Sequence, residues 1–108
     1  MKARKLVLEN YQIIFETPDG TKSTPYDVRQ SLSTVLLNPE LHLNGATLLS
    51  NFKLAEKCKD SKEESILLDE QEYKVLTNAV NECKGFGAND VQFVQRILEA
   101  PEVEIAEK

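Results

Sequence analysis

The sequence contains no tryptophan, a single histidine and only two cysteines among its 108 residues. One histidine cannot form a zinc site by itself, because zinc sites in proteins need three or four protein ligands. The two cysteines, Cys58 and Cys83, form no C-x-x-C pair and show no metal-ligand spacing. We therefore expect two buried, reduced thiols; a single disulfide in an exported protein is the alternative.

Long apolar runs and signal-peptide features are also missing. The apolar run after Lys5 is Leu-Val-Leu before Glu9, far too short for the apolar region of a signal peptide. No stretch approaches the roughly 18 apolar residues needed to span a bilayer. The sequence therefore predicts a cytoplasmic protein without a membrane partner.

The composition that is present is typical of a globular protein, with 41% apolar and 29% charged residues. A chain of this length fits one domain, residues 1–108. The formal net charge of −5 argues against a nucleic-acid partner, since duplex-binding proteins usually carry a clustered basic face. A basic start at Lys2, Arg4 and Lys5 and a glutamate-rich end are interpreted as solvated tails.

Four segments of the chain are predicted to be extended. Residues 6–15 alternate, with a change of phase that predicts a bulge or tight turn at Glu9-Asn10. Thr17-Pro18-Asp19-Gly20 is a strong turn signal, and a short return strand through Lys22 completes a hairpin. The apolar run Ser65–Leu68 predicts a middle strand, and Val103 and Ile105 alternate with glutamates as a final edge strand.

The first two helices are predicted on either side of Pro39. The first begins with Thr24 as N-cap, followed by Pro25 and Asp27, and ends before Pro39. The second runs from about Asn44 to about Lys57. The apolar face of the first comprises Val28, Leu32, Val35 and Leu36, and that of the second comprises Leu48, Phe52 and Ala55, with Leu49 alongside.

Two further helices follow a capping signature. Asp69 and Glu72 predict the start of the third helix, which ends at Gly85-Phe86-Gly87. Asn89 is the expected cap of the fourth, which Pro101 ends. The inward residues are expected to be Tyr73, Leu76, Val80 and Cys83 in the third helix and Val91, Val94, Ile97 and Leu98 in the fourth.

Together these elements predict an α+β fold. A small antiparallel sheet, formed by the N-terminal hairpin and the short middle and C-terminal strands, packs on three or four helices.

No cluster of residues predicts a catalytic, cofactor or metal site. His42 has no orienting partner that would make it a general base. Asp69, Glu70 and Glu72 are explained by helix capping, because calcium needs a shaped loop with six to eight oxygens. Gly85-Phe86-Gly87 lacks a complete phosphate-binding pattern and fits a helix C-terminus, with Phe86 as a protein-contact candidate if exposed.

The remaining polar groups are interpreted as surface. Acidic residues alternate with the basic group Lys53, Lys57, Lys59 and Lys62, which favours a solvated face over a nucleic-acid groove. A redox thiol at Cys58 amid these lysines is the alternative to an inert one. No nucleophile turn surrounds the hydroxyls of Ser31, Ser33 and Thr34.

The layout of the whole chain resembles the small acidic proteins of bacteriophages and prophages. The resemblance lies in Tyr26-Asp27-Val28-Arg29-Gln30-Ser31-Leu32, in Leu48-Leu49, in Leu67 through Tyr73 and in Arg96 through Val103. It implies a bacterial cytoplasm and no catalytic residues.

The leading functional hypothesis is a non-enzymatic accessory protein that binds another protein or itself, for instance as a homodimer. Apolar residues exceed what one core needs at Leu36-Leu37, Leu41 to Leu43 and Leu48-Leu49, so this segment is the predicted partner surface. Full burial of Leu41 and Leu43 would contradict that location. The alternatives are a chaperone or connector of a viral particle, a cryptic enzyme based on paired carboxylates, and a nucleic-acid regulator acting through the basic N-terminus.

Overall fold

The structure is a computed structural model that describes residues 2–104. In chain order its elements are β1 (Lys2–Val7), β2 (Tyr11–Thr17), β3 (Gly20–Tyr26), α1 (Val28–Leu36), α2 (Gly45–Asp60), β4 (Ser65–Leu68), α3 (Glu70–Glu82), α4 (Val91–Leu98) and β5 (Glu102–Glu104). Short 3₁₀ turns, Pro39–Leu41 and Ala88–Asp90, precede α2 and α4. The predicted α+β class is confirmed.

β1 is the central strand of a three-stranded antiparallel sheet with the order β4-β1-β5. Leu6 lies opposite Ile66 of β4, and Lys2 lies opposite Glu104 of β5. Ala3 and Leu6 are buried and so join the sheet to the core. The predicted middle and C-terminal strands are confirmed, although Ile105 lies outside the described residues.

β2 and β3 form a separate two-stranded antiparallel sheet, which we call the hairpin arm. At Glu9-Asn10, where a bulge or tight turn was expected, the chain leaves the first sheet altogether: β1 ends at Val7 and β2 begins at Tyr11. The Leu8 N–H still donates to the Glu64 carbonyl, just before β4. The Asn10 side-chain oxygen accepts from the Val28 N–H at the start of α1. The chain therefore leaves one sheet and begins another within three residues.

The predicted start of α1 at Thr24 is wrong by three residues. Thr24 and Pro25 belong to β3, where they pair with Ile13 and Gln12. Asp27 is the N-cap, and its carboxylate accepts from the Gln30 N–H at 3.0 Å. A proline is tolerated in an edge strand, so the return strand extends well beyond Lys22. The predicted inward face of α1 is confirmed.

The predicted apolar face of α2 is wrong except at Ala55, which is buried as expected. The helix begins at its expected cap, Asn44, but buries a face made of Asn51, Leu54, Ala55 and Cys58. Leu48, Leu49 and Phe52 are exposed. The buried Asn51 side chain donates to the Leu36 carbonyl at 2.9 Å, which satisfies a group that the end of α1 leaves without a helical partner.

α3 begins at its predicted cap but ends at Glu82, before the predicted end at Gly85-Phe86-Gly87, and α4 follows its prediction in part. The capping box of Asp69 and Glu72 is present, and Leu76, Val80 and Cys83 are buried. In α4 the core residues are Phe93 and Ile97, whereas Val91 and Leu98 are exposed. The predicted cap Asn89 lies inside the 3₁₀ turn, and the Asp90 carboxylate accepts from the Gly87 N–H.

The core lies where β1 and β4 meet all four helices. Its largest fully buried side chains are those of Phe93, Leu6, Leu8, Leu32, Leu36, Leu68, Leu76 and Ile97. The hairpin arm extends beyond this core and meets it through Tyr11 and Tyr26. The molecule is accordingly elongated, with principal extents of 55, 35 and 22 Å.

Candidate functional site

His42 lies at the end of the turn between α1 and α2. It is exposed, follows the Pro39–Leu41 turn and has a φ of 51°, in the left-handed region. Within residues 2–104 no group of three or more His, Cys, Asp and Glu side chains is arranged to hold a metal ion.

The acidic residues at the start of α3 make helix-capping and tertiary contacts. Asp69 accepts from the Glu72 N–H at 2.7 Å, and Glu72 accepts from the Asp69 N–H at 3.1 Å. Glu72 is also bound by the Lys57 ammonium, 2.9 Å from each carboxylate oxygen. Glu70 is exposed and does not join this pair. The cluster therefore fixes α3 against α2.

Cys58 and Cys83 are both buried and free, as expected from the sequence. Burial raises the pKa of the Cys58 thiol to about 11, although Lys57 and Arg29 act in the opposite direction. Burial also raises the pKa of Cys83, whose sulfur lies 3.6 Å from the Val35 carbonyl oxygen. A raised pKa opposes thiolate formation, so neither cysteine has the electrostatic environment of a redox thiol.

Gly85-Phe86-Gly87 connects α3 to the turn before α4. Gly85 has a φ of 91°, which glycine adopts readily, and α3 has already ended at Glu82. Phe86 is 38% exposed. It is thus partly available as a contact residue.

A tyrosine pair at the base of the hairpin arm was not predicted. The rings of Tyr11 and Tyr26 stack with centroids 4.7 Å apart, and Tyr26 also contacts Phe93. The Tyr26 hydroxyl donates to Asp90 at 2.5 Å, and the Tyr11 hydroxyl donates to the Asn89 carbonyl at 2.7 Å.

These contacts make the tyrosine pair a clamp between the arm and α4. The Tyr11 oxygen also accepts from the Phe93 N–H, and the Arg96 guanidinium lies over the Tyr11 ring. Burial raises the pKa of both phenols. In Tyr26 the hydrogen bond to Asp90 raises the pKa further. Protonated phenols are not general bases at neutral pH. The contacts of the two tyrosines instead attach the hairpin arm to α4.

An exposed apolar surface lies on α2; we call it the α2 patch and define it as Leu48, Leu49 and Phe52. Leu49 is 61% exposed, and the other two side chains are 44% and 45% exposed. All three lie within the first eight residues of α2, so they form one continuous side of its N-terminal half. One turn further along, Lys53 and Glu56 provide a polar border.

A small cavity lies on the adjoining side of α2. It has a volume of about 140 Å³ and is lined by Leu41, Leu43, Thr47, Asn51, Val75 and Ala79, among others. Leu41 and Leu43 are half-buried there, whereas Leu36 is fully buried. The predicted partner segment therefore divides: Leu36 belongs to the core, and Leu48 and Leu49 reach the surface.

Comparison with protein-family models, with curated proteins and with solved structures finds no match for this chain. Among the helices that the structure describes, none is both long enough and apolar enough to cross a bilayer.

Proposed function

We propose that this protein is a non-enzymatic accessory protein that binds another protein through the α2 patch. The observation that carries the proposal is the exposure of Leu48, Leu49 and Phe52 on one side of a well-packed helix. Contiguous exposed apolar side chains with a polar border are typical of interface cores. Phage origin and a bacterial cytoplasm stay predictions from the resemblance.

The packing of α2 supports this assignment. Its core-facing side is already filled by Leu54, Ala55 and Cys58, and the patch side chains lie outside that buried set. An aromatic residue flanked by two leucines also fits the anchor-in-pocket arrangement that dominates interface energetics.

The small volume of the crevice between Glu70 and Glu102 also favours binding over catalysis. Glu70 and Glu102 line a crevice with Lys2 and Arg4, but its volume is about 10 Å³. That volume accommodates about one water molecule, so a substrate would have no room between the two carboxylates.

The test places a photo-crosslinking amino acid at Leu49 or Phe52 of the full chain. Asn81, exposed on α3, is the matched control position. In a lysate of the source cell we expect the two patch positions to cross-link to the same protein and the control position not to do so. The double variant L49Q/F52Q should then lose that partner while its circular dichroism is unchanged.

Two outcomes would contradict the proposal. One is a captured protein that binds wild type and L49Q/F52Q equally well. The other is cross-linking from Asn81 to the same protein with equal yield.

A structural or assembly role is the second candidate function, and the hairpin arm favours it. The arm extends away from the core and bears Ile14 and Phe15 at the surface. Sedimentation across a dilution series separates the two functions, since an assembly role requires self-association into oligomers larger than a dimer and partner binding does not.

A further inference from the structure

The hairpin arm has too few strands to be stable by its own contacts. It consists of β2 and β3 alone, and no third strand from residues 2–104 covers either edge. A two-stranded ribbon is at best marginally stable in water, and at least three strands or a packed helix are needed for independent stability. The tyrosine clamp supports only its base, whereas Ile14 is 72% exposed and Phe15 42% exposed.

The two edges of the arm differ in their protection. β3 carries Lys22 and Pro25, both of which discourage further strand pairing. β2 reads Tyr-Gln-Ile-Ile-Phe-Glu-Thr, which has high β-propensity and one charge, Glu16, near its end. The edge of β2 is therefore the one open to another strand.

The register of the hairpin shows which backbone groups that edge presents. Thr17 and Gly20 form the pair that closes a two-residue turn, so hydrogen-bonded pairs recur at every second position from there. Pro25, which has no N–H, accordingly falls in a non-hydrogen-bonded pair, opposite Gln12. On β2 the outward N–H and C=O groups belong to Gln12, Ile14 and Glu16.

We propose that β2 pairs antiparallel with β2 of a second copy of this chain, about a two-fold axis at Ile14. In this register Ile14 lies opposite Ile14 of the second copy. Gln12 lies opposite Glu16 of the second copy, so its amide can donate to that carboxylate, and symmetry repeats the pair.

Other registers that use the same outward groups are worse. Centring the axis on Glu16 places two carboxylates directly opposite each other, which is destabilising. A shift to Ile13 or Phe15 as centre places the exposed Ile14 opposite Gln12 or Glu16. The register centred on Ile14 alone pairs apolar with apolar and amide with carboxylate.

We infer a second copy as the partner because β2 itself carries both members of each pair, Ile14 for Ile14 and Glu16 for Gln12. The product is a four-stranded sheet with the order β3-β2-β2-β3, whose two outer edges are the ones that Lys22 and Pro25 protect. A surface groove of about 400 Å³, formed by residues 11–14 of β2 with Val91, Gln92 and Gln95 of α4, lies beside the strand. It lies where residues 14–17 of the second copy's β2 would pair. This pairing is independent of the α2 patch.

The first test is disulfide trapping with the I14C variant of the full chain. Hydrogen-bonded antiparallel pairs place Cα atoms about 5.5 Å apart, within the span of a disulfide. S23C is the matched control, because Ser23 is also exposed and lies opposite Ile14 on β3. The native cysteines are buried and should not contribute.

We expect mild oxidation to convert I14C to a covalent dimer while S23C stays monomeric. Equal cross-linking of the two variants would overturn the proposal. So would a mixed disulfide of I14C with a different protein in lysate in place of the dimer.

The second test is specific to the register and uses sedimentation of wild type, Q12E and Q12K. Q12E places two glutamates opposite each other twice in the dimer, and we expect its dissociation constant to rise by about 2- to 30-fold at low salt. Q12K should lower the constant. A wild-type chain that stays monomeric at the highest attainable concentration, or equal effects of Q12E and Q12K, would overturn the proposal.

Discussion

Two polar or titratable side chains, Asn51 and Cys58, are buried on α2, and the sequence predicted the burial of Cys58 only. Cys58 was expected to be an inert core thiol because it closes an apolar stripe. Asn51 was not expected in the core, since the pattern was built from apolar residues alone. Its spacing of three, four and seven residues from Leu54, Ala55 and Cys58 is the helical signal that would have placed it there. The carbonyl partner on Leu36 depends on tertiary packing and has no sequence signal.

The raised pKa of Cys58 makes the free energy of unfolding depend on pH in alkaline solution. The folded thiol has a pKa of about 11, above its ordinary value near 9, so the unfolded chain releases the proton first. The contribution is fully present below pH 9 and is lost as the pH rises through 11. We expect the stability of wild type relative to C58A to fall by about 2 kcal/mol between pH 8 and pH 11.

Urea unfolding of both proteins at several pH values measures this difference. Comparison with C58A cancels the titration of tyrosines and lysines, which both proteins share. A stability difference that is constant with pH would show that Cys58 titrates at its ordinary pKa.

At the scale of the element, the helices were predictable where two independent signals agreed. In α3 a capping box leads directly into an apolar stripe, and both the start and the buried face were correct. In α2 the cap was correct but the apolar residues lie on two sides of the helix, so the sequence could not show which side enters the core. In α1 a threonine and proline that resemble a helix start continue β3, because pairing with β2 competes successfully with capping.

The observed orientation of α2 predicts effects of very different size on stability for two leucines that are five residues apart. L49Q should change the free energy of unfolding by less than about 0.5 kcal/mol, because Leu49 is exposed in the monomer. L54A should lower it by about 2 to 5 kcal/mol, because Leu54 is buried and truncation leaves a cavity. Denaturant titration of the two variants checks both values. A larger loss for L49Q than for L54A would show that the sequence-based face of α2 was the correct one.

At the scale of the whole molecule, the sequence predicted most strands but not their division into two sheets. β1 and β2 are separated by only three residues, yet β1 pairs with strands that lie far along the chain. Local patterns indicate where strands occur, whereas the choice of partner depends on long-range contacts. Of the two candidate surfaces, the sequence indicated Leu48 and Leu49 of the α2 patch. It did not indicate the exposed edge of β2, because that edge follows only from the sheet topology.

This division predicts two levels of local stability. Within the three-stranded sheet the first half of β1 pairs with β5 and its second half with β4, and Leu6 of that strand is in the core. The distal half of the hairpin arm has one ladder and little packing. We therefore expect the amides of Phe15 and Thr17 to exchange with solvent much faster than those of β1 in dilute, monomeric protein. Hydrogen exchange resolved by NMR measures this, and equal protection of both regions would contradict it.

The place of β1 in the chain has a consequence for biosynthesis. The central strand of the larger sheet leaves the ribosome before either of its neighbours, because β4 lies more than half the chain later and β5 follows only at Glu102–Glu104. Until then Leu6 and Ala3 have no sheet to join, while the hairpin arm, whose strands are adjacent in sequence, can already close. Non-local pairing of this kind slows folding and prolongs the time for which a nascent strand is exposed to wrong partners. β1 is therefore synthesised before both of its partners and is among the last strands to reach its final contacts.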